Sequence, residues 1–525
     1  MTQASTPRRP PVGGAVSTSH YLATEAGAQA LRDGGNAVDA AIAAAAVLCV
    51  VYPNNVALGG DLVALVRDPS GRVSFVNATG RASRQERLET LRQRHGDALP
   101  DRGIDTVTVP GGVRGWITLA GLGGRLGWED LLSPALSCAR DGVPVARSLG
   151  RAIRLERQAL NADPGCRDVF LPGGTALVEG DLLVQPALAD TFEQLIAKGL
   201  DDFYAGGVAR QWIDGLRRRG SAIAEDEVSG YAPTVESPLT GKAGGTEVLT
   251  SPPNTQGFSL LRTLRALEDD NLGDPLGADA GRLAEIFASN NGVRARWLSD
   301  PDTARLSAEE LISMAVNDAE SDARAATGDT VGLVAVSDDG WSVSLVQSVF
   351  WAFGAAILEP STGILFQNRG TSFSLDPDHP AAFAGGRRPP HTLMPVLVLQ
   401  DGELAYALAT MGGQAQPQIH AQLLLRLLNG ASAIEATSAP RWAVGAQDDG
   451  DTPATVTVEA DAPASALKSL RVRSNRLKVV QPRDELLGHS NVIRVLPSGF
   501  DAASDPRSDG SAIVVGARPD LDPNL

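Results

Sequence analysis

Thr330 stands where a run of small and acidic residues, 317–329, gives way to the apolar stretch Val331-Gly332-Leu333-Val334-Ala335-Val336. Ser337-Asp338-Asp339-Gly340 follows as a turn tetrad, and 341–348 returns as an alternating run. This spacing predicts a β-hairpin with Thr330 at its open end. If the chain breaks between Asp329 and Thr330, one residue carries a hydroxyl nucleophile and an α-amine of unperturbed pKa about 7.7–8.0. Nucleophile and base then travel together, as acyl transfer requires. Ordinary turn chemistry before a strand uses the same residue types, so on these residues alone both readings stand. Gly412-Gly413, directly after an apolar run at 404–410, is a second feature of this kind. Glycines let N–H groups approach a developing oxyanion with no Cβ in the way, and they equally make a plain turn. Ser465-Ala466-Leu467-Lys468 has the spacing of a serine acyltransferase tetrad, but no Ser-Asp-Asn or Lys-Thr-Gly accompanies it, so it reads as a helix surface.

The elements that must position these groups are legible from periodicity. Residues 21–32 and 37–51 read as helices, the first closed by Gly34-Gly35 and the second by Pro53. Residues 62–67 and 72–77 pair around the turn 68–71, and 115–230 is mainly helical, with amphipathic stretches at 151–160 and 187–198. A strand at 246–250 leads through Ser251-Pro252-Pro253-Asn254-Thr255-Gln256-Gly257 into a helix at 258–268. Beyond Thr330 strands dominate, at 394–400, 404–410 and 511–515.

The chain has 525 residues, 43% of them apolar, and a formal net charge of -16. An acidic balance of this size argues against a nucleic-acid partner, because phosphate binding needs a basic footprint. Residues 1–12 hold two arginines but no apolar run after them, so they are expected to form a flexible tail, with the protein in the cytoplasm. The apolar stretch 37–51 is long enough only for a buried helix and is interrupted by Asp39, so no membrane partner is expected. Cys49, Cys138 and Cys166 have neither zinc nor disulfide spacing, and the six histidines form no ligand motif. Neither a metal nor a cofactor is expected.

The ordered blocks Gly34-Gly35-Asn36-Ala37-Val38-Asp39-Ala40-Ala41, Val51-Tyr52-Pro53, Gly59-Gly60-Asp61, Val109-Pro110-Gly111-Gly112-Val113-Arg114-Gly115-Trp116, Gly363-Ile364-Leu365, Met411-Gly412-Gly413, Ala439-Pro440-Arg441 and Asp505-Pro506-Arg507-Ser508-Asp509-Gly510 make the chain resemble the gamma-glutamyltranspeptidase family of N-terminal-nucleophile hydrolases. The resemblance runs from near residue 13 to the C-terminus. It implies a four-layer αββα sandwich, self-cleaved into a large subunit, 13–329, and a small subunit, 330–525, intertwined in one globular unit. It further implies Thr330 as nucleophile, Ser348 as the hydroxyl that orients its amine, Gly412 and Gly413 as the oxyanion hole, and Arg81 as the grip on a substrate carboxylate.

The substrate side departs from the family pattern. Ser372 stands where an acidic residue holds the glutamyl ammonium, Phe350 replaces a polar position, and His391-Thr392 replace paired serines. Losing a charged contact costs about 1.5–3 kcal/mol, or roughly ten- to a hundredfold in affinity. The altered set, including Asn368-Arg369-Gly370, resembles the family's oxamate-amidohydrolase-like branch. The expected partner is thus a small carboxylated substrate, gripped by Arg81 with Arg369, Ser372, His391 and Thr392 beside it. Alternatives are a true gamma-glutamyltransferase or glutathione hydrolase, a C–C bond hydrolase of antibiotic biosynthesis, and an inactive ligand-binding relative; the last is disfavoured by Thr330 and Gly412-Gly413.

Overall fold

Composition places the helix Ala37–Val51: every one of its residues is buried, so it can only lie inside a layer. Asn36 caps it, with Asp39 reaching back to the Asn36 N–H at 2.9 Å. The Asp39 carboxylate also accepts from the Arg125 and Leu126 N–H groups, which is how a charge is tolerated in this apolar run. In the computed structural model, which describes residues 10–316, 329–448, 450–473 and 476–516, this helix packs beside Tyr21–Arg32 and Trp128–Asp141 on the outer face of a seven-stranded sheet.

The strands of that sheet lie in the spatial order Ser511–Val515, Gly14–Thr18, Asp329–Ser337, Ser342–Phe350, Asp61–Arg67, Val73–Ala78 and Thr234–Glu236, all antiparallel. A second antiparallel sheet has six strands in the order Gly499–Ser504, Ser490–Leu496, Glu403–Thr410, Val396–Gln400, Thr246–Thr250 and Leu239–Ala243. Val63, Leu65, Val334, Val346, Leu397 and Ala407 fill the space between the two sheets. Helices Gly257–Asp269 and Gln416–Leu428 cover the outer face of the second sheet, with Ala280–Trp297 against them. The result is the four-layer αββα sandwich. Both sheets contain strands from before and from after residue 330, so neither part owns a sheet of its own.

The two N-terminal helices occupy 21–32 and 37–51 as the periodicity predicts. Two elements differ from expectation. The amphipathic stretch 151–160 is split into Arg147–Leu155 and Arg157–Ala162 at Glu156, whose carboxylate pairs with Arg102 at 2.6 Å. The return strand of the hairpin runs on past Ser348 to Phe350, with a slip in register between Gln347 and Phe350. Tail residues 1–9 and the acidic loop 317–328 lie outside the described residues.

Candidate active site

Thr330 is the second residue of a strand at the middle of the first sheet and is fully buried. Its carbonyl accepts from Asn55 Nδ2 at 3.1 Å, and its Oγ1 donates to Ser348 Oγ at 3.1 Å. Ser348 Oγ also accepts the Phe350 N–H at 2.7 Å, and this bond draws the chain into the register slip. Phe350 consequently has φ +83, a conformation that costs a bulky residue about 1–3 kcal/mol. The Arg369 guanidinium stacks 3.5 Å from the centre of its ring, a cation–π contact that offsets about 2 kcal/mol when desolvated.

Gly332 ties the Thr330 strand to the second sheet. A Cβ there would lie 2.6 Å from the Thr410 N, so only glycine permits this approach. Residues two apart share a strand face, so Thr330 is on the side that looks toward the end of the Glu403–Thr410 strand. The chain there continues into Gly412 (φ +149) and Gly413 (φ +51), both in the region that favours glycine. Among the described residues, neither the Gly412 nor the Gly413 N–H donates a hydrogen bond. Gln256 Nε2 donates to Gly413 O at 2.8 Å and to Thr392 O at 2.6 Å, fastening this turn to the 389–392 segment. Asn254 fixes the same segment by donating to Pro389 O at 2.8 Å and accepting the His391 N–H at 2.7 Å.

Charge enters from one side. Arg369 is completely buried, and its nearest acceptors are two hydroxyls, Thr392 at 3.2 Å and Ser372 at 3.5 Å. The Asp61 carboxylate lies nearby, held by His391 Nε2 at 3.2 Å and by the Gly80 and Gly111 N–H groups. Burial pushes the Asp61 carboxyl up, to about 7, against the lowering effect of the Arg369 charge and of those N–H groups. Burial also drives the His391 imidazole well below its usual range, helped by the charges of Arg369 and Arg294, so it is neutral at pH 7. Arg294, on the helix Ala280–Trp297, is itself pushed down to about 10 by burial. A guanidinium keeps its proton in proteins, so both arginines remain cations. A hydrogen-bonded hydroxyl, two unengaged N–H groups and a cationic wall are together the parts list of an acyl-transfer site.

The profile of the family described as gamma-glutamyltranspeptidase matches residues 23–515. The chain belongs to the gamma-glutamyltranspeptidase family. It is 33% identical over 521 residues to the glutathione hydrolase-like YwrD proenzyme of Bacillus subtilis, covering 95% of this chain and 98% of that one. It is also 33% identical over 515 residues to the oxamate amidohydrolase proenzyme of Klebsiella pneumoniae, covering 94% and 97%. Among solved structures, the cephalosporin acylase from Bacillus halodurans superposes with a TM-score of 0.88 at 28% identity, covering 99% of both chains. The protein is an enzyme of this family of hydrolases and transferases, with the family's sandwich fold.

The gamma-glutamyltranspeptidase fold brings most of the predicted residues into one ring. Thr330 bonds Ser348, Ser348 bonds Phe350, Phe350 carries Arg369, Arg369 bonds Thr392 and Ser372, and Gln256 joins Thr392 to Gly413. His391 is linked through Asp61. Arg81 stands apart from these bonds: its guanidinium turns to Gly386 O at 2.9 Å, Asp302 at 3.4 Å and Asp300 at 3.6 Å, and its side chain is one-third exposed. Sequence reasoning gave no role to Asn55, Asp61, Gln256 or Arg294. Asp61 and Gln256 lay inside segments already singled out, beside Gly59-Gly60 and before Gly257, whereas nothing local marks Arg294.

Proposed function

We propose that the protein is a self-processing amidohydrolase of a small carboxylated substrate, of the kind named by its oxamate amidohydrolase relative. The observation that carries this reading is the hydrogen bond from Thr330 Oγ1 to Ser348 Oγ at the start of a strand that faces Gly412-Gly413. Cleavage between Asp329 and Thr330 frees the threonine α-amine, which takes the hydroxyl proton as Oγ1 attacks the acyl carbonyl. Ser348 orients that amine. The Gly412 and Gly413 N–H groups receive the oxyanion, each worth about 2.7–4 kcal/mol of barrier. The protonated α-amine hands that proton to the leaving nitrogen as the C–N bond breaks, and water then releases the acid from the threonine ester.

Arg369, with Thr392, Ser372 and neutral His391 around it, takes the substrate carboxylate; Arg81 is the second candidate cation, in competition with its own acidic partners. A gamma-glutamyl ammonium fits poorly, because Arg369 puts a positive charge beside Ser372, where the family's acid belongs. The three cysteines are free thiols, in keeping with a reducing cytoplasm; cell fractionation tests that placement. Intact mass and N-terminal sequencing of the purified protein test the whole reading. Two fragments are expected, the smaller beginning Thr-Val-Gly-Leu, with turnover of small amides rising with pH through the amine pKa of about 7.7–8.0. An active enzyme that remains a single chain would refute it.

A further inference from the structure

Buried arginines in this protein normally find acceptors. Arg262, on the helix next to that of Arg294, donates to Met314 O at 3.0 Å, Ala315 O at 2.5 Å and Ser289 Oγ at 3.1 Å, and also to Asn290. Arg294 is different. It is only 9% exposed, its Nε is buried without an acceptor, and none of its side-chain nitrogens forms a hydrogen bond or ion pair with a described residue. The Arg369 guanidinium reaches only hydroxyl acceptors among the described residues. Among the described residues neither guanidinium is salt-bridged to a carboxylate, and Asp61 is engaged by His391 and two backbone N–H groups.

Position ties Arg294 to the ring of site residues. One turn earlier on its helix, Asn291 donates to Val444 O at 3.0 Å, and Asn291 and Gln414 side-chain nitrogens crowd the same face of Gly445. Residues three apart share a helix face, so Arg294 is on the face that meets Gln414, directly after Gly412-Gly413. One residue on, Ala295 O lies 3.1 Å from His379 Nε2, and five residues beyond that Asp300 accepts the Arg388 N–H at 2.6 Å. The C-terminal turns of the helix therefore border the segment that delivers His391 and Thr392. The Arg294 charge acts on both Arg369 and His391, which is consistent with this neighbourhood.

Two buried cations with no carboxylate partner among the described residues are expensive, and the cost is recovered when an anion binds them. We propose that Arg294 and Arg369 form a two-guanidinium clamp for an anionic group of the substrate, with Arg294 as a specificity-determining residue. The clamp begins beside Phe350, whose N–H shares the Ser348 Oγ with Thr330. The clamped carboxylate is thus close to the attacked carbonyl, and the substrate class is short acids of the oxalyl type, without the spacer of a gamma-glutamyl chain. This inference rests on Thr330 as the reacting residue for the substrate's orientation, but anion capture itself does not require turnover.

Oxalate is the probe. Calorimetry on the purified wild-type enzyme should show saturable oxalate binding, with a rise in Tm that acetamide does not produce. Arg294→Gln should weaken oxalate binding about ten- to a hundredfold, with Arg294→Lys intermediate, and should raise the Tm of the ligand-free enzyme because an uncompensated buried charge is gone. A merely structural arginine would do the reverse. Absence of saturable oxalate binding by wild type would overturn the clamp, as would an Arg294→Gln enzyme with lower ligand-free Tm and unchanged oxalate affinity. If Arg294→Gln does not fold, the wild-type titration decides. A denaturing gel of the same wild-type sample shows whether residues 1–329 and 330–525 have separated, so failure of the self-processing reading is seen separately from failure of the clamp.

Discussion

Two buried charge clusters in this protein are built on opposite principles. Around Arg441 and Arg507, cations and anions are matched: Arg507 bonds Glu459 at 2.7 Å and Asp505 at 2.9 Å, and Arg441 bonds Asp505 at 2.7 Å. The neighbouring Arg426 donates to Pro440 O at 2.9 Å. Asp505 is held below the usual carboxylate range despite its burial, because both arginines stabilise its charge. Around Arg369 the carboxyl that acts on its charge, among the described residues, is Asp61, which burial pushes up to about 7. The first cluster is closed and ties together the ends of strands and loops from 437 to 508. The second is open among the described residues, and the clamp proposed above assigns its missing partner to the substrate. A buried ion cluster completed by its own residues serves the fold, whereas one left short of an anion serves binding.

The largest effect is expected at the edge of the open cluster. Thr330→Ala should cut turnover by about four orders of magnitude or more and leave a single chain of 54.6 kDa by intact mass. Residual turnover near the wild-type level would place the chemistry away from the open cluster and remove its functional meaning. In the closed cluster, Glu459→Gln removes one of the two carboxylates that Arg507 bonds and should cost about 3–5 kcal/mol of stability, read by denaturant unfolding. The folded fraction should keep its kcat, because Glu459 belongs to no part of the ring around Thr330.

Arg369→Met sharpens the contrast from the other side. It should lower kcat/KM for a small acid amide by about ten- to a hundredfold, and more than Arg81→Ala does, since Arg81 already has acidic partners. Its stability loss should be well below that of Glu459→Gln. Equal losses in unfolding experiments would erase the distinction between the two clusters. The smallest effect concerns pH. With the folded-state carboxyl of Asp61 at about 7 and an ordinary value of 3.8, the native state between those limits holds a proton that the unfolded state has released. Stability from this group is therefore present near pH 4 and lost as pH rises through about 7. Asp61→Asn should flatten that part of the profile, seen as a Tm difference from wild type that changes between pH 4.5 and 7.5 and is steady above it.

The sequence by itself determined the elements and their sides. Helices at 21–32 and 37–51, the hairpin that starts at Thr330 and the strand leading into Gly412-Gly413 follow from apolar periodicity and from turn residues, which act over a few positions. The resemblance carried by the ordered motifs extended this to the sandwich fold and the family. Tertiary structure alone decided which arginines are sealed inside and which keep acidic partners. Arg81 and Arg369 look alike in the chain, each an arginine in a polar loop. Only packing sends Arg81 to Asp300 and Asp302 while sealing Arg369 over Phe350. Arg294 gave no local signal, because a basic residue in the last turn of a helix is expected on dipole grounds alone. Its meaning lies in the partners it lacks among the described residues. Whether a buried charge has a partner depends on side chains far away in sequence, and those are brought near only when the layers close.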